Sequence, residues 1–218
     1  MLVIENLSYA YGDSREYVLK KVFLHIEREG IYTLQGENGS GKSTFLKILA
    51  AIADEPLGEV RLCGIPLGTR DYKRNVGYVP DTPILYEELT GEEHVTVFME
   101  LWEMTPPERK EYQDRVGAMA RALSLDQYMN QKIRTLSFGT RYKLFYTLML
   151  SRKPKLILLD EPFGSLDIKS QDRALDMLRK YSEEAIVILS SHQKNIIDAL
   201  HGKRYRLVDG KIKREIEL

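Results

Sequence analysis

Gly36-Glu37-Asn38-Gly39-Ser40-Gly41-Lys42-Ser43-Thr44 fits the G-x-x-x-x-G-K-[S/T] spacing of a loop that wraps phosphate groups. Gly36, Gly39 and Gly41, with Asn38 and Ser40 between them, let the backbone turn its N–H groups inward. Lys42 brings a positive charge to the β and γ phosphates, Ser43 offers a hydroxyl to Mg²⁺, and Thr44 completes the run. The ligand implied is a nucleoside triphosphate. Phosphoryl transfer to water also needs a positioned nucleophile and charge neutralisation. Leu156-Ile157-Leu158-Leu159-Asp160-Glu161 sets two acids at the end of an apolar run. Asp160 is suited to hold Mg²⁺ through water, and Glu161 to polarise the attacking water as general base.

Such groups work only if strands and helices deliver them to one place. Ile31–Leu34 precedes the glycine-rich loop as a strand, and Phe45–Ala50 follows it as an apolar helix, the order a phosphate loop requires. Leu2–Leu7 and Val22–Ile26 read as further strands, and the alternation of Val22, Leu24 and Ile26 predicts a half-exposed antiparallel layer at the N-terminus. Gly58–Cys63 and Val76–Val79 follow as strands, the second closed by Pro80.

From about Thr90 to Ser151 the pattern turns helical. Thr90-Gly91-Glu92-Glu93 fits a capping box, after which Val97, Phe98, Leu101 and Trp102 are expected to share one buried face. Pro106-Pro107 opens a second helix carrying Tyr112, Val116, Met119, Ala120 and Leu123 at helical spacing, and a third carries Leu144, Phe145, Leu148 and Met149. These aromatic and methionine stripes read as core packing. Leu156–Leu159 and Ala185–Leu189 are continuous apolar runs on either side of a helix over Ile168–Tyr181, which predicts a parallel sheet covered on both faces. Tyr205–Ile212 reads as a hairpin around Asp209-Gly210. The fold class is therefore α/β: a phosphate-loop nucleotide-binding core with a parallel sheet, an N-terminal antiparallel layer, and an inserted α-helical subdomain at about residues 83–151 of a single domain spanning 1–218.

Composition sets limits on partners. The 218 residues carry 32 Lys plus Arg against 32 Asp plus Glu, so no global charge excess points to nucleic acid, and none is expected as a partner. Cys63, the one cysteine, has no intrachain disulfide partner, and Met1–Asn6 lacks the charged start and long apolar run of a signal peptide. Both observations predict a cytosolic chain. No stretch approaches about 20 consecutive apolar residues, so any membrane role is expected to come through a partner.

Leu136-Ser137-Phe138-Gly139-Thr140, shortly before Asp160, resembles the LSGGQ signature of the ATP-binding cassette (ABC) ATPases, and the resemblance runs over nearly the whole chain. Ser137 and Gly139 match; Phe138 and Thr140 depart. The resemblance implies that Ser137 and Gly139 reach the γ-phosphate held by a second ATPase subunit in a head-to-tail dimer, and the departures leave open whether that subunit is identical. Ser165-Leu166-Asp167 resembles the D-loop, which brings Asp167 to the opposite subunit. His192, after Ser190-Ser191, resembles the switch histidine that meets the γ-phosphate and orients the catalytic Glu161, with Lys42 completing the catalytic set. Tyr11 resembles the aromatic that stacks on adenine, with Tyr9 the competing choice. Where the family usually carries glutamine, Asp81 stands here; it could hold Mg²⁺ through water, and together with Tyr86–Glu92 it resembles the branch that powers export through separately encoded transmembrane permease subunits.

The implied function is the ATP-hydrolysing subunit of an ABC transporter, peripheral on the cytoplasmic face of the membrane, with ATP and Mg²⁺ as ligands. The alternatives are a soluble non-transport ABC ATPase of an assembly or repair complex, and, from another class, a phosphate-loop kinase with a helical lid.

Overall fold

A wholly apolar run can serve as a strand only when both its faces are covered, and Leu156–Asp160 is buried at every position. In the computed structural model, which describes residues 1–12, 14 and 16–215, this strand lies inside a six-stranded sheet. The elements follow in chain order: β1 (Leu2–Tyr9), β2 (Leu19–Ile26), β3 (Gly30–Gln35), α1 (Lys42–Leu49), β4 (Leu57–Leu62), β5 (Ile65–Pro66), α2 (Arg70–Arg74), β6 (Val76–Val79), α3 (Gly91–Leu101), α4 (Pro106–Ala122), α5 (Phe138–Leu150), β7 (Leu156–Asp160), α6 (Ile168–Tyr181), β8 (Ile186–Ser190), α7 (Lys194–Leu200), β9 (Lys203–Val208) and β10 (Lys211–Arg214). They group into two units. The first comprises Met1–Pro80, Pro154–Pro162 and Leu178–Leu218; the second comprises Asp81–Lys153 and Phe163–Met177.

The first unit contains both sheets. The larger has the order β10-β9-β3-β8-β7-β6, with parallel pairing from β9 through β6 and β10 antiparallel at the edge. The smaller, β2-β1-β4-β5, is antiparallel throughout, and Val22, Leu24 and Ile26 of β2 point inward as their alternation predicts. Its inner residues, including Leu2, Ile4 and Leu62, join Phe45, Leu46 and Leu49 of α1 and Leu156, Leu158, Ile186 and Ile188 of the parallel strands in one apolar core. Each such side chain contributes about 1.5–3 kcal/mol on burial, so the core fixes where the carboxyl ends of β3, β7 and β8 emerge. Asp209 and Gly210 join β9 to β10 with φ of 50° and 76°, the left-handed pair of a type I′ turn, which confirms the Asp-Gly hairpin.

The second unit is helical. The amide of Glu93 donates to Thr90 Oγ1 at 3.2 Å and that of Thr90 to Glu93 Oε2 at 2.7 Å, closing the predicted capping box of α3. The buried face of α3 differs from expectation: His94, Val95, Phe98 and Met99 point inward, whereas Leu101 is 65% exposed. Leu101 ends the helix and Trp102 caps it with its ring under the Arg152 guanidinium, 3.3 Å from the ring centroid, so those two residues lie past the stretch that packs. Helix α4 starts at Pro106-Pro107 and buries Tyr112, Val116, Met119 and Ala120 as its spacing predicts. Helix α5 buries Leu144, Leu148 and Met149, and its Tyr142 and Tyr146 meet the Phe163 ring edge-on. Among the described residues no helix is long and apolar enough to cross a membrane.

Candidate functional site

In a parallel sheet, groups placed at the carboxyl ends of neighbouring strands come together without further design. Here β3 ends into Gly36–Gly41, β8 ends into Ser191-His192, and β7 ends at Asp160-Glu161. Gly41 has φ of 102°, and a Cβ built on it would lie 2.8 Å from Val18 Cγ1; a Cβ on Gly36 would lie 2.7 Å from the Leu207 carbonyl oxygen. Only glycine allows the loop to pass there before α1 begins.

The loop is built for anions. Helix α1 starts at Lys42 and has no acid in its first turn, so its free amides and macrodipole present positive character. Ser40 Oγ is buried with no hydrogen-bond partner among the described residues, an orphan donor of the kind a phosphate oxygen satisfies. Lys42 is buried, and its Nζ donates to the carbonyl oxygens of Gly36 at 2.9 Å and Glu37 at 3.1 Å, holding the loop in a closed curve.

Ser43 Oγ donates to Asp160 Oδ1 at 3.0 Å across 117 positions of sequence. One hydroxyl and one carboxylate beside a phosphate cradle fit Mg²⁺, which takes few protein oxygens and keeps its other positions for water and phosphate.

Glu161 adopts φ of 44°, in the left-handed region, and its amide donates to both the carbonyl and the hydroxyl of Ser190, each at 3.1 Å. This backbone bend aims its carboxylate at His192: Nδ1 lies 2.8 Å from Glu161 Oε2, and the His192 amide donates to the same oxygen at 3.2 Å. Strained backbone conformations of this kind concentrate where function needs a particular side-chain direction. A carboxylate held against an imidazole can accept a proton from water in a fixed direction.

Tyr9 is 4% exposed and belongs to the core, whereas Tyr11 is 51% exposed, so of the two only Tyr11 has an open ring face. The Tyr11 hydroxyl is 2.8 Å from Thr44 Oγ1, which ties that ring to the phosphate loop. A cleft of about 1120 Å³ runs beside the loop, lined among others by Tyr11, Asn38, Gly39, His192 and Arg206.

Lys42, Ser43, Asp160, Glu161 and His192 are thus brought together in the first unit. Asp81, Ser137, Gly139 and Asp167 belong to the second. Asp81 is exposed, and its Oδ1 accepts from the Thr82 amide at 2.7 Å. Ser137 caps α5, its Oγ accepting from the Thr140 amide at 3.2 Å and lying 2.8 Å from Thr140 Oγ1. A Cβ on Gly139 would lie 2.8 Å from the Ser165 carbonyl oxygen, which accounts for a glycine at that place. Asp167 accepts from the Ser170 amide at 2.9 Å at the start of α6, and hydrogen bonds from Ser170 hold its carboxyl below the usual carboxylate range. Sequence reasoning did not single out Ser190 or Tyr78, whose hydroxyls lie 2.6 Å and 3.4 Å from the Asp160 carboxylate. The available signal was a polar residue closing the apolar run of β8.

Residues 19–164 match the family described as ABC transporter. The chain is 29% identical over 185 residues to the molybdate/tungstate import ATP-binding protein WtpC of Pyrococcus horikoshii, covering 84% of this chain and 52% of that one. It is 30% identical over 223 residues to the putative ABC transporter ATP-binding protein AlbC of Bacillus subtilis, covering 95% and 91%. It therefore spans about half the length of the first relative. Among solved structures, the dimeric post-hydrolysis state of the ATP-binding cassette MJ0796 bound to ADP and Pi superposes with a TM-score of 0.85 at 28% identity, covering 100% of this chain and 99% of that one.

Proposed function

The chain belongs to the ABC transporter family, and on that premise we propose that it is the ATP-binding, ATP-hydrolysing subunit of a transporter, and that the transporter exports its cargo. One observation carries the ATPase reading: Lys42, Ser43, Asp160, Glu161 and His192 converge at the carboxyl ends of β3, β7 and β8. In this reading the loop amides and Lys42 hold the β and γ phosphates, and Tyr11 stacks on adenine beside Thr44. Glu161 takes a proton from the attacking water while His192 keeps its carboxylate aimed. Ser43 and Asp160 would hold Mg²⁺, which when bound neutralises developing charge on the phosphates.

Two cassettes would pair head to tail, each closing its phosphate loop against the partner's Ser137 and Gly139, with Asp167 at the subunit boundary. The dimeric state of the similar MJ0796 cassette supports such pairing. Binding then shifts the open–closed equilibrium by its extra affinity for the closed pair, and hydrolysis reopens it. Residues 1–218 form one nucleotide-binding domain whose helical subdomain, at about 83–151, engages a separately encoded permease on the cytoplasmic face. Export in particular is supported by the acidic Asp81 and the following Tyr86–Glu92.

Asp81→Ala is expected to lower Mg²⁺-dependent turnover by about tenfold, the usual cost of losing a residue that orients a metal's water. Unchanged kinetics across a Mg²⁺ titration would leave Asp81 only its turn with Thr82. The transporter reading is tested by affinity capture of the chain from gently solubilised native membranes, with and without a non-hydrolysable ATP analogue. A multi-span membrane protein in stoichiometric amount is the expected companion, and assaying cargo movement by that pair decides direction. Recovery only with soluble proteins, or alone, would replace the transporter by a soluble assembly ATPase.

A further inference from the structure

We propose that Ser190 is a positioning residue for ATP hydrolysis, one hydroxyl that fixes both the metal-side carboxylate of Asp160 and the backbone of the general base Glu161. The proposal rests on the ATPase reading above. Ser190 is the last residue of β8 and the register partner of Asp160, the last residue of β7, so the pleat sends both side chains to the same side of the sheet. It is 0% exposed, which shields its hydroxyl from bulk water.

The hydroxyl has one proton to give and lone pairs to receive, and both capacities are used. It donates to Asp160 Oδ1 at 2.6 Å, a short charge-assisted contact, and accepts from the Glu161 amide at 3.1 Å. Ser43 donates to the same Oδ1 from the phosphate-loop side at 3.0 Å, while among the described residues Oδ2 has the longer 3.4 Å approach of the Tyr78 hydroxyl. If Ser43 turns toward a metal ion, Ser190 is, among the described residues, the remaining short contact that keeps the Asp160 carboxylate in its plane. The same hydroxyl helps pin Glu161 in its left-handed bend, from which its side chain reaches His192. A loose hydroxyl at this point would let the metal side and the base side drift independently; a shared one couples them.

The test uses the full chain with Ser190→Ala and the nearly isosteric Ser190→Cys, whose thiol is a weak donor. Affinity for a non-hydrolysable ATP analogue is measured by calorimetry in EDTA and again in Mn²⁺, so that the difference isolates the metal's contribution. Both variants are expected to lose about 10- to 100-fold in kcat and about tenfold of the Mn²⁺-dependent gain in affinity, while affinity in EDTA stays within about twofold. Wild-type kcat in the variants would overturn the proposal. So would parallel losses of affinity with and without metal at unchanged kcat, or failure of both variants to fold, since either reduces Ser190 to a structural hydroxyl. If the wild-type chain itself shows no Mg²⁺-dependent hydrolysis, the ATPase reading falls and takes this inference with it. Hydrolysis by the wild type with indifferent variants removes this inference alone.

Discussion

Glu161→Gln is expected to bind ATP with near wild-type affinity and to turn it over about 10²- to 10⁴-fold more slowly, the range set by losing a positioned general base. Glutamine keeps the shape of the side chain and an oxygen that can still accept from the His192 ring and amide, so the local arrangement at 2.8 Å and 3.2 Å has no steric reason to change. What disappears is the negative charge that, in the proposed mechanism, takes a proton from water. ATP then remains intact, and because the bound triphosphate favours the closed pair, the variant should accumulate as an ATP-dependent dimer. Single-turnover hydrolysis and size-exclusion chromatography with ATP read both effects. A fully active Glu161→Gln protein would take the base role away from Glu161.

Lys42→Ala acts one step earlier, on binding. Its ammonium is buried and sits 2.9 Å and 3.1 Å from two carbonyl oxygens of the loop it must serve. A triphosphate would offer that charge an anionic partner, and hydrogen bonds to charged groups are worth about 1.5–3 kcal/mol, or about 10- to 150-fold in affinity. The loss should be larger for ATP than for AMP, since in the proposed binding mode the lysine addresses the β and γ phosphates. Calorimetry with ATP, ADP and AMP reads that gradient, and a melting curve separates it from a general loosening of the loop. Near-normal ATP affinity would count against the phosphate-loop assignment.

How much of this was legible before any fold was known depended on how local each feature is. The phosphate loop is a contiguous run in which glycine positions, lysine and hydroxyl must all fall in register, so spacing alone revealed it. The capping box at Thr90 and the Asp209-Gly210 turn were legible for the same reason: each is a short-range hydrogen-bond or φ requirement that few residue types meet. The face of α3 was misread because a helix that is apolar on several sides has no preferred direction until its neighbours are placed; burial of His94 and exposure of Leu101 are outcomes of packing, not of periodicity. Burial of Tyr9 at the end of β1 and exposure of Tyr11 are likewise outcomes of packing.

The amino-acid sequence by itself determined that this chain carries a phosphate cradle, a pair of acids at a buried strand end and a histidine after another such strand. Only the tertiary structure decided that Ser43, Asp160 and Ser190 share one carboxylate oxygen and that Glu161 faces His192. The reason is physical. Ser43 and Asp160 are 117 residues apart, and the contact exists because β3, β8 and β7 lie side by side in parallel with β7 and β8 ending level. Strand order and register are set by the burial of the whole sheet, a sum over many apolar side chains that no single motif encodes.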